Sequence, residues 1–190
     1  MMEGLLDPFS TLLGADGSLE PERRTVETSL AETRAIYRDV PGDLEDRVVY
    51  RVHHMPVPET GSEIACSTTI LEPGTVGDEY FMTRGHFHQV RDRSEVYLGI
   101  AGEGLLLMAD ESGEHRTEPL RPDAVVYIPG GWAHRSVNTG AEPLVFFAAY
   151  VADAGHDYET VATRGFPVRV TRGLDGPEIV PNDAYERPPG

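Results

Sequence analysis

The sequence predicts a single all-β domain, a barrel or sandwich of short strands, and three observations carry that reading. Between residues 47 and 151, apolar and β-branched runs recur at short intervals, each bounded by Gly, Pro, Asp or Glu-rich turns; many short strands with little helix between them indicate a sandwich or barrel. The chain has 190 residues, enough to bury one core of ordinary size without disulfides. Its chemistry-bearing residues are concentrated in two segments of that strand-rich region, 83–97 and 127–138. The expected division is an N-terminal arm with a short helix (1–44), the β-barrel (45–152) and a C-terminal extension (153–190).

Residues 1 to about 20 are mixed and contain glycine, so an irregular arm is expected. From 20 to 40 good helix formers dominate with few apolar residues at helical spacing, which predicts one short helix around Ser29–Tyr37 capped by Ser29 or Thr28. Strands are predicted within 47–57, 64–73, 79–88, 95–100, 105–110, 124–129, 134–138 and 144–151. Gly102-Glu103-Gly104 and Glu111-Ser112-Gly113 read as hairpin turns. Beyond Asp153 the composition turns polar, and 173–190 reads as an extended tail with loose ends.

Composition excludes several function classes. A formal charge of −16 opposes nucleic-acid or anionic-membrane binding. All 16 basic residues are arginine, which removes Schiff-base chemistry and P-loop phosphate binding, both of which need a lysine amine. Cys66 is the one cysteine, so no intrachain disulfide forms and a reducing cytoplasm is expected. No apolar run approaches the ~20 residues of a membrane span, and the N-terminus carries neither a basic leader nor a long apolar stretch, so no export signal is expected.

His86 and His88 are two apart, which on an extended strand turns both rings to one face. Glu95 follows, and His134 comes after a Pro-Gly-Gly turn. Three imidazoles and a carboxylate suit a divalent transition metal with coordination positions left for substrate. An isolated HxH is more often structural; the surrounding spacing decides otherwise. Gly85 precedes the pair, Glu95 follows after six residues and Gly102 after six more, and Pro129, Gly131, His134 and Asn138 form the answering segment.

This pattern resembles the two-part signature of the cupin superfamily, two His and a Glu from the first motif and one His from the second. The glycines expected to open each motif are Tyr80 and Asp123 here, neither at a ligand position. Thr83-x-Gly85-His86-x-His88, then Glu95-x-Tyr97, further resembles the cupin-type glucose-6-phosphate isomerases, with Gly130 where that family has a second proline. The resemblance implies a jelly-roll cupin barrel and a homodimer. It implies one divalent metal per chain on His86, His88, Glu95 and His134, Fe(II) foremost and Mn, Ni, Co or Zn also compatible. The activity implied is interconversion of glucose 6-phosphate and fructose 6-phosphate. A pocket lined by Tyr50, Thr69, Thr83, Gly85, Tyr97, Phe146, Tyr150, His156 and Tyr158 is implied as well.

Without lysine, the phosphate would be held by hydroxyls of Thr69, Thr83, Tyr97 and Tyr150 and by the Gly85 N–H. Strand alternation puts Arg84 off the face shared by Thr83 and Gly85, so Arg84 is not expected to be the main anchor. Glu95, Tyr150 and His156 are the candidates for moving a proton between C1 and C2, and a hydride shift fits the same residues. His53 and His54 are read as structural, His115 as exposed, and Trp132 as a packing residue. An Fe(II) dioxygenase and a non-catalytic sugar- or metal-binding cupin are the alternatives; oxygen consumption would identify the first, and isomerase turnover would exclude the second.

Overall fold

In the computed structural model, residues 6–60 and 63–187 are described. In chain order the elements are β1 (Leu12–Leu13), β2 (Leu19–Glu20), β3 (Arg24–Ser29), α1 (Leu30–Thr33) running into a 3-10 turn (Arg34–Ile36), β4 (Val48–His54), β5 (Ile64–Leu71), β6 (Thr75–Val76) and β7 (Glu79–Tyr80). There follow β8 (Glu95–Ala101), β9 (Gly104–Asp110), β10 (His115–Leu120), β11 (Val125–Ile128), β12 (Trp132–Asn138), β13 (Leu144–Val151), α2 (Tyr158–Arg164), β14 (Val168–Arg172) and β15 (Pro177–Pro181). The fold is mostly β, as the short apolar runs require.

Six strands form one sheet in the order β11-β8-β13-β5-β4-β3, and β10-β9-β12 form a second. The main core lies between them: Leu71, Phe146 and Val49 from the large sheet meet Leu106, Leu120 and Val137 from the small one, all at 2% exposure or less. Among the described residues the ladders do not join into a closed ring; the β15-β14-β7-β6 sheet and the β1-β2 pair are separate. A second apolar cluster, Phe87, Leu107, Ala109, Ala133, Val161, Phe166 and Val168, seats α2 on the small sheet.

Several expectations are corrected. The N-terminal arm is only partly helical: residues 24–29 are the edge strand β3, paired with β4, while the short helix expected around Ser29–Tyr37 is present as one α turn at Leu30–Thr33 continued by a 3-10 turn at Arg34–Ile36. Thr25, Val26 and Thr28 are β-branched and an open sheet edge was available, and both outweigh helix propensity. Ser29 does stand before the helix, its N–H donating to Glu32 Oε2 at 2.8 Å, one half of a capping box.

Gly102–Gly104 is not a hairpin turn. Strands β8 and β9 belong to different sheets, and the chain crosses between them where Gly102 has φ +75° and an added Cβ would lie 2.3 Å from the Pro143 carbonyl. Glu111–Gly113 does close a hairpin between β9 and β10, with Asp110 Oδ1 accepting from the Ser112 N–H. The run 79–88 is strand only at 79–80, with isolated bridges after it. The C-terminal stretch is not a loose tail, since β15 pairs along β14. The first five residues of the expected arm and the last three of the expected tail lie outside the described residues.

Candidate metal centre

Period-2 alternation on the large sheet assembles one wall. Glu95 and Tyr97 on β8, Phe146, Ala148 and Tyr150 on β13, Ser67 and Thr69 on β5, Tyr50, Val52 and His54 on β4 and Val26 and Thr28 on β3 all point inward, in registers that set Glu95 against Tyr150 and Tyr97 against Ala148. The opposite wall is the 83–88 segment. It is tied to β12 by the reciprocal bridge His86 N–H to His134 O (3.2 Å) and His134 N–H to His86 O (3.0 Å). Gly85, at φ +74°, allows that approach, because a Cβ there would meet the Phe166 ring at 2.8 Å.

These walls bring His86, His88, Glu95 and His134 together, with one donor atom from each lying within 4.8 Å of the others. Glu95 Oε2 is 3.1 Å from both His88 Nε2 and His134 Nε2, and both His88 and Glu95 are 5% exposed. The His88 Nδ1–H donates to the Arg93 carbonyl at 2.8 Å, which fixes the tautomer and leaves Nε2 as the lone pair facing the cluster. The Nε2 atoms of His86 and His134 are buried without a hydrogen-bond partner. Two orphaned imidazole nitrogens beside a buried carboxylate fit a divalent cation better than any internal hydrogen-bond scheme.

The protonation of two of the four donors, His86 and Glu95, agrees with that fit. Burial, with His134, His156 and His88 adding to it, holds His86 well below its ordinary pKa, so it stays neutral. Burial alone would push Glu95 up, but its contacts with His134 and His88 outweigh it and leave the carboxyl below its usual range, hence ionised.

A cavity of about 450 Å³ opens over the cluster, within the size range of small-molecule sites. Tyr50, Thr69, Thr83, Gly85, Tyr97, Phe146, Tyr150, His156 and Tyr158 all line it. Tyr97 stacks on Phe146 at 4.6 Å between ring centroids, and His156 lies 4.4 Å from His86 and stacks on Tyr158. Burial raises the Tyr97 and Tyr150 hydroxyls above the ordinary phenol value, with Glu95 adding to it, so both are donors at neutral pH.

The alternation expected for Arg84 fails. Regular strand ends at Tyr80, so no alternation runs through this segment, and Arg84 lines the cavity beside Thr83 and Gly85. Of the adjacent histidines, His54 also lines the cavity, where burial pushes it down to about 4. His53 faces outward onto Glu22 and Thr25. Arg24, Thr28 and Glu32 complete the rim; the sequence reading, which expects no strand at 24–29 and no packing of the arm against the site, does not include them. His115 is exposed, and Trp132 packs against the main core.

Arg135 is a buried cation beneath the site. Its guanidinium donates to the Arg84 carbonyl and lies 4.6 Å over the Phe166 ring, and burial pushes it down to about 10.

Two facing β-sheets that set three imidazoles and one carboxylate at the floor of a ligand-sized cavity define a mostly β protein with a potential mononuclear metal site. The family model for glucose-6-phosphate isomerase matches residues 23–176, and the chain belongs to that family. Its relatives include the glucose-6-phosphate isomerases of Pyrococcus horikoshii, 46% identical over 142 residues (75% of each chain), and of Thermococcus kodakarensis, 49% identical over the same length and coverage. That of Thermococcus gammatolerans is 39% identical over 163 residues, covering 84% of this chain and 86% of the relative. Among solved structures, one of oxalate decarboxylase matches 56% of this chain and 26% of its own at 25% identity and a TM-score of 0.45.

Proposed function

We propose that this chain is a metal-dependent aldose–ketose isomerase that interconverts glucose 6-phosphate and fructose 6-phosphate. The observation that carries the reading is the His86, His88, Glu95 and His134 cluster at the floor of a hydroxyl-lined cavity, in a chain of the glucose-6-phosphate isomerase family. A divalent ion on those four residues, Fe(II) foremost, would polarise the C1 and C2 oxygens of the sugar and stabilise charge on both.

The remaining steps belong to side chains. Tyr97 and Tyr150, protonated and facing the cluster, donate hydrogen bonds to the sugar oxygens. With Tyr150 held protonated, the proton acceptors at the cavity are Glu95, whose ligation reduces its basicity, and His156, whose ring lies against His86. Thr69, Thr83 and the Gly85 N–H receive the far end of the substrate, and Tyr50, Phe146 and Tyr158 shape the wall.

The pairing partner we assign is a second copy of this chain. The outer face of the large sheet exposes Val125 (68%), Tyr127 (61%) and Leu98 (38%), and Ile64 at 53% continues it, an apolar face of the kind that homodimers bury. The lone Cys66 and the family's place in sugar-phosphate metabolism support a cytoplasmic location. A coupled assay for glucose 6-phosphate formed from fructose 6-phosphate, before and after chelation, tests the activity. Turnover lost on chelation and restored by metal is expected; no turnover with any metal would refute the isomerase.

A further inference from the structure

Among the described residues the cavity lining contains two guanidinium groups, Arg24 and Arg84, and no other side-chain cation of fixed charge. Arg24 is engaged: its Nη2 is 3.0 Å from Glu59 Oε1. Arg84 is held loosely. Its Nη2 reaches Glu32 Oε1 at 3.4 Å, at the long end of hydrogen bonding, and that contact is open to solvent (37% and 51% side-chain exposure). Its Nε is buried with no hydrogen-bond partner. A buried N–H donor on a charged group is costly to leave unsatisfied.

The backbone on both sides of this residue is fixed. The Thr83 N–H donates to the Ser136 carbonyl at 3.0 Å, the His86 N–H to the His134 carbonyl at 3.2 Å, and the Arg84 carbonyl accepts from buried Arg135. The side chain therefore leaves a rigid platform two residues from the metal cluster, between the Thr83 hydroxyl and the Gly85 N–H.

The geometry points to Arg84 as the cation that takes the phosphate of the substrate, with Glu32 as the counter-ion the phosphate displaces. This rests on the isomerase reading above. The need for such a cation follows from charge. A sugar phosphate is close to a dianion and the chain carries −16; with the Glu95 charge offset by the metal ion and Glu27 paired to Arg51 at 2.8 Å, Glu32 is the cavity carboxylate that a phosphate would face. Neutral hydroxyl donors can bond the phosphate oxygens but cannot offset that field, whereas a guanidinium fork matches phosphate geometry and carries charge. Glu32 lies within α1, next to its capping Ser29, so its carboxylate has a second partner, the Ser29 N–H at 2.8 Å, when Arg84 turns to the ligand.

The test uses the metal-loaded protein with fructose 6-phosphate as substrate and inorganic phosphate as competitor, titrated by calorimetry as well as by inhibition. Arg84→Gln should raise KM and the inhibition constant for phosphate roughly tenfold to a hundredfold, with kcat and metal content near wild type. Arg84→Lys should recover part of the loss, because charge returns without the fork. Glu32→Gln should lower both constants, since the competing counter-ion is gone. Unchanged phosphate affinity in Arg84→Gln, or weaker binding in Glu32→Gln, overturns the proposal. Were the wild type to bind phosphate without turning over fructose 6-phosphate, the isomerase reading would fail alone. The calorimetric comparison of wild type with Arg84→Gln would still decide Arg84's role.

Discussion

Replacing Thr83 by valine separates the two things its hydroxyl does. The oxygen accepts from the Ser136 N–H at 3.1 Å, bracing the wall against β12, so the hydroxyl proton is free to point into the cavity. Valine keeps the shape and β-branching and removes both bonds. Losing one hydrogen bond to a charged phosphate costs about 1.5–3 kcal/mol, or roughly tenfold to a hundredfold in affinity. If ground state and transition state use the bond alike, the change falls on KM with kcat little moved.

The same substitution strands the partly buried Ser136 N–H, at about 1–3 kcal/mol of stability, with each kcal/mol worth about 2–4 °C in Tm for a domain of this size. Thr83→Ser keeps both bonds and should resemble wild type in KM and in Tm. The assay is steady-state kinetics with fructose 6-phosphate, with metal content measured on each protein and Tm by calorimetry. A lower Tm with unchanged KM would show that Thr83 only braces the wall, and would refute its place in the phosphate site.

Four further outcomes are expected. His88→Ala should purify with less than one metal per chain by elemental analysis, and metal content equal to wild type would sink the four-residue assignment. Glu79→Ala should destabilise by about 3–5 kcal/mol in denaturant titrations while leaving kcat intact. Glu79 is 1% exposed and receives Arg169 Nη1 and the Arg38 N–H, each at 2.6 Å, so its removal leaves a largely buried guanidinium without its counter-ion. The Arg91 guanidinium and the Thr160 N–H hold the Asp157 carboxyl down at about 2, against an ordinary 3.8. Because the folded value is the lower one, the stabilisation is present above pH ~4 and is lost as pH falls toward 2; Asp157→Asn should be less stable at neutral pH and flatter across that acid window in equilibrium unfolding. Tyr127→Asp, on the apolar outer face, should shift light scattering at micromolar concentration toward the 20.9 kDa single chain, and an unchanged larger mass would move the dimer interface elsewhere.

How far the sequence could be read depended on where local pattern and tertiary context agree. Strands β4, β5, β8, β9 and β13 were legible because apolar, aromatic and β-branched residues run through each, turn residues bound it, and its inner face is held by the core and the cavity. The four donors were legible because residue type and spacing survive without knowledge of the path between them. Strand β3 was not: its apolar residues are sparse, and what makes it a strand is the open edge of β4 beside it, a partner 19 to 30 residues away in sequence. With β3 went the whole rim it carries, Arg24, Thr28 and, through the turn that follows, Glu32.

The misplacement of Arg84 has a different cause, and it bears on chemistry. Alternation assigns faces only along an uninterrupted ladder. At Gly85 the chain enters φ +74°, a conformation in which only a residue lacking Cβ fits between Phe166 and the His134 carbonyl. Regular strand has already ended at Tyr80, with only isolated bridges beyond it, so no parity count runs through Arg84. The same irregular segment carries Arg84 to the cavity and lets His86 bridge to His134. A glycine immediately before a ligand pair should therefore be read as a place where faces are reassigned. The residue before it then becomes a candidate for the site, because the close approach that requires glycine also brings that residue's side chain to the ligand.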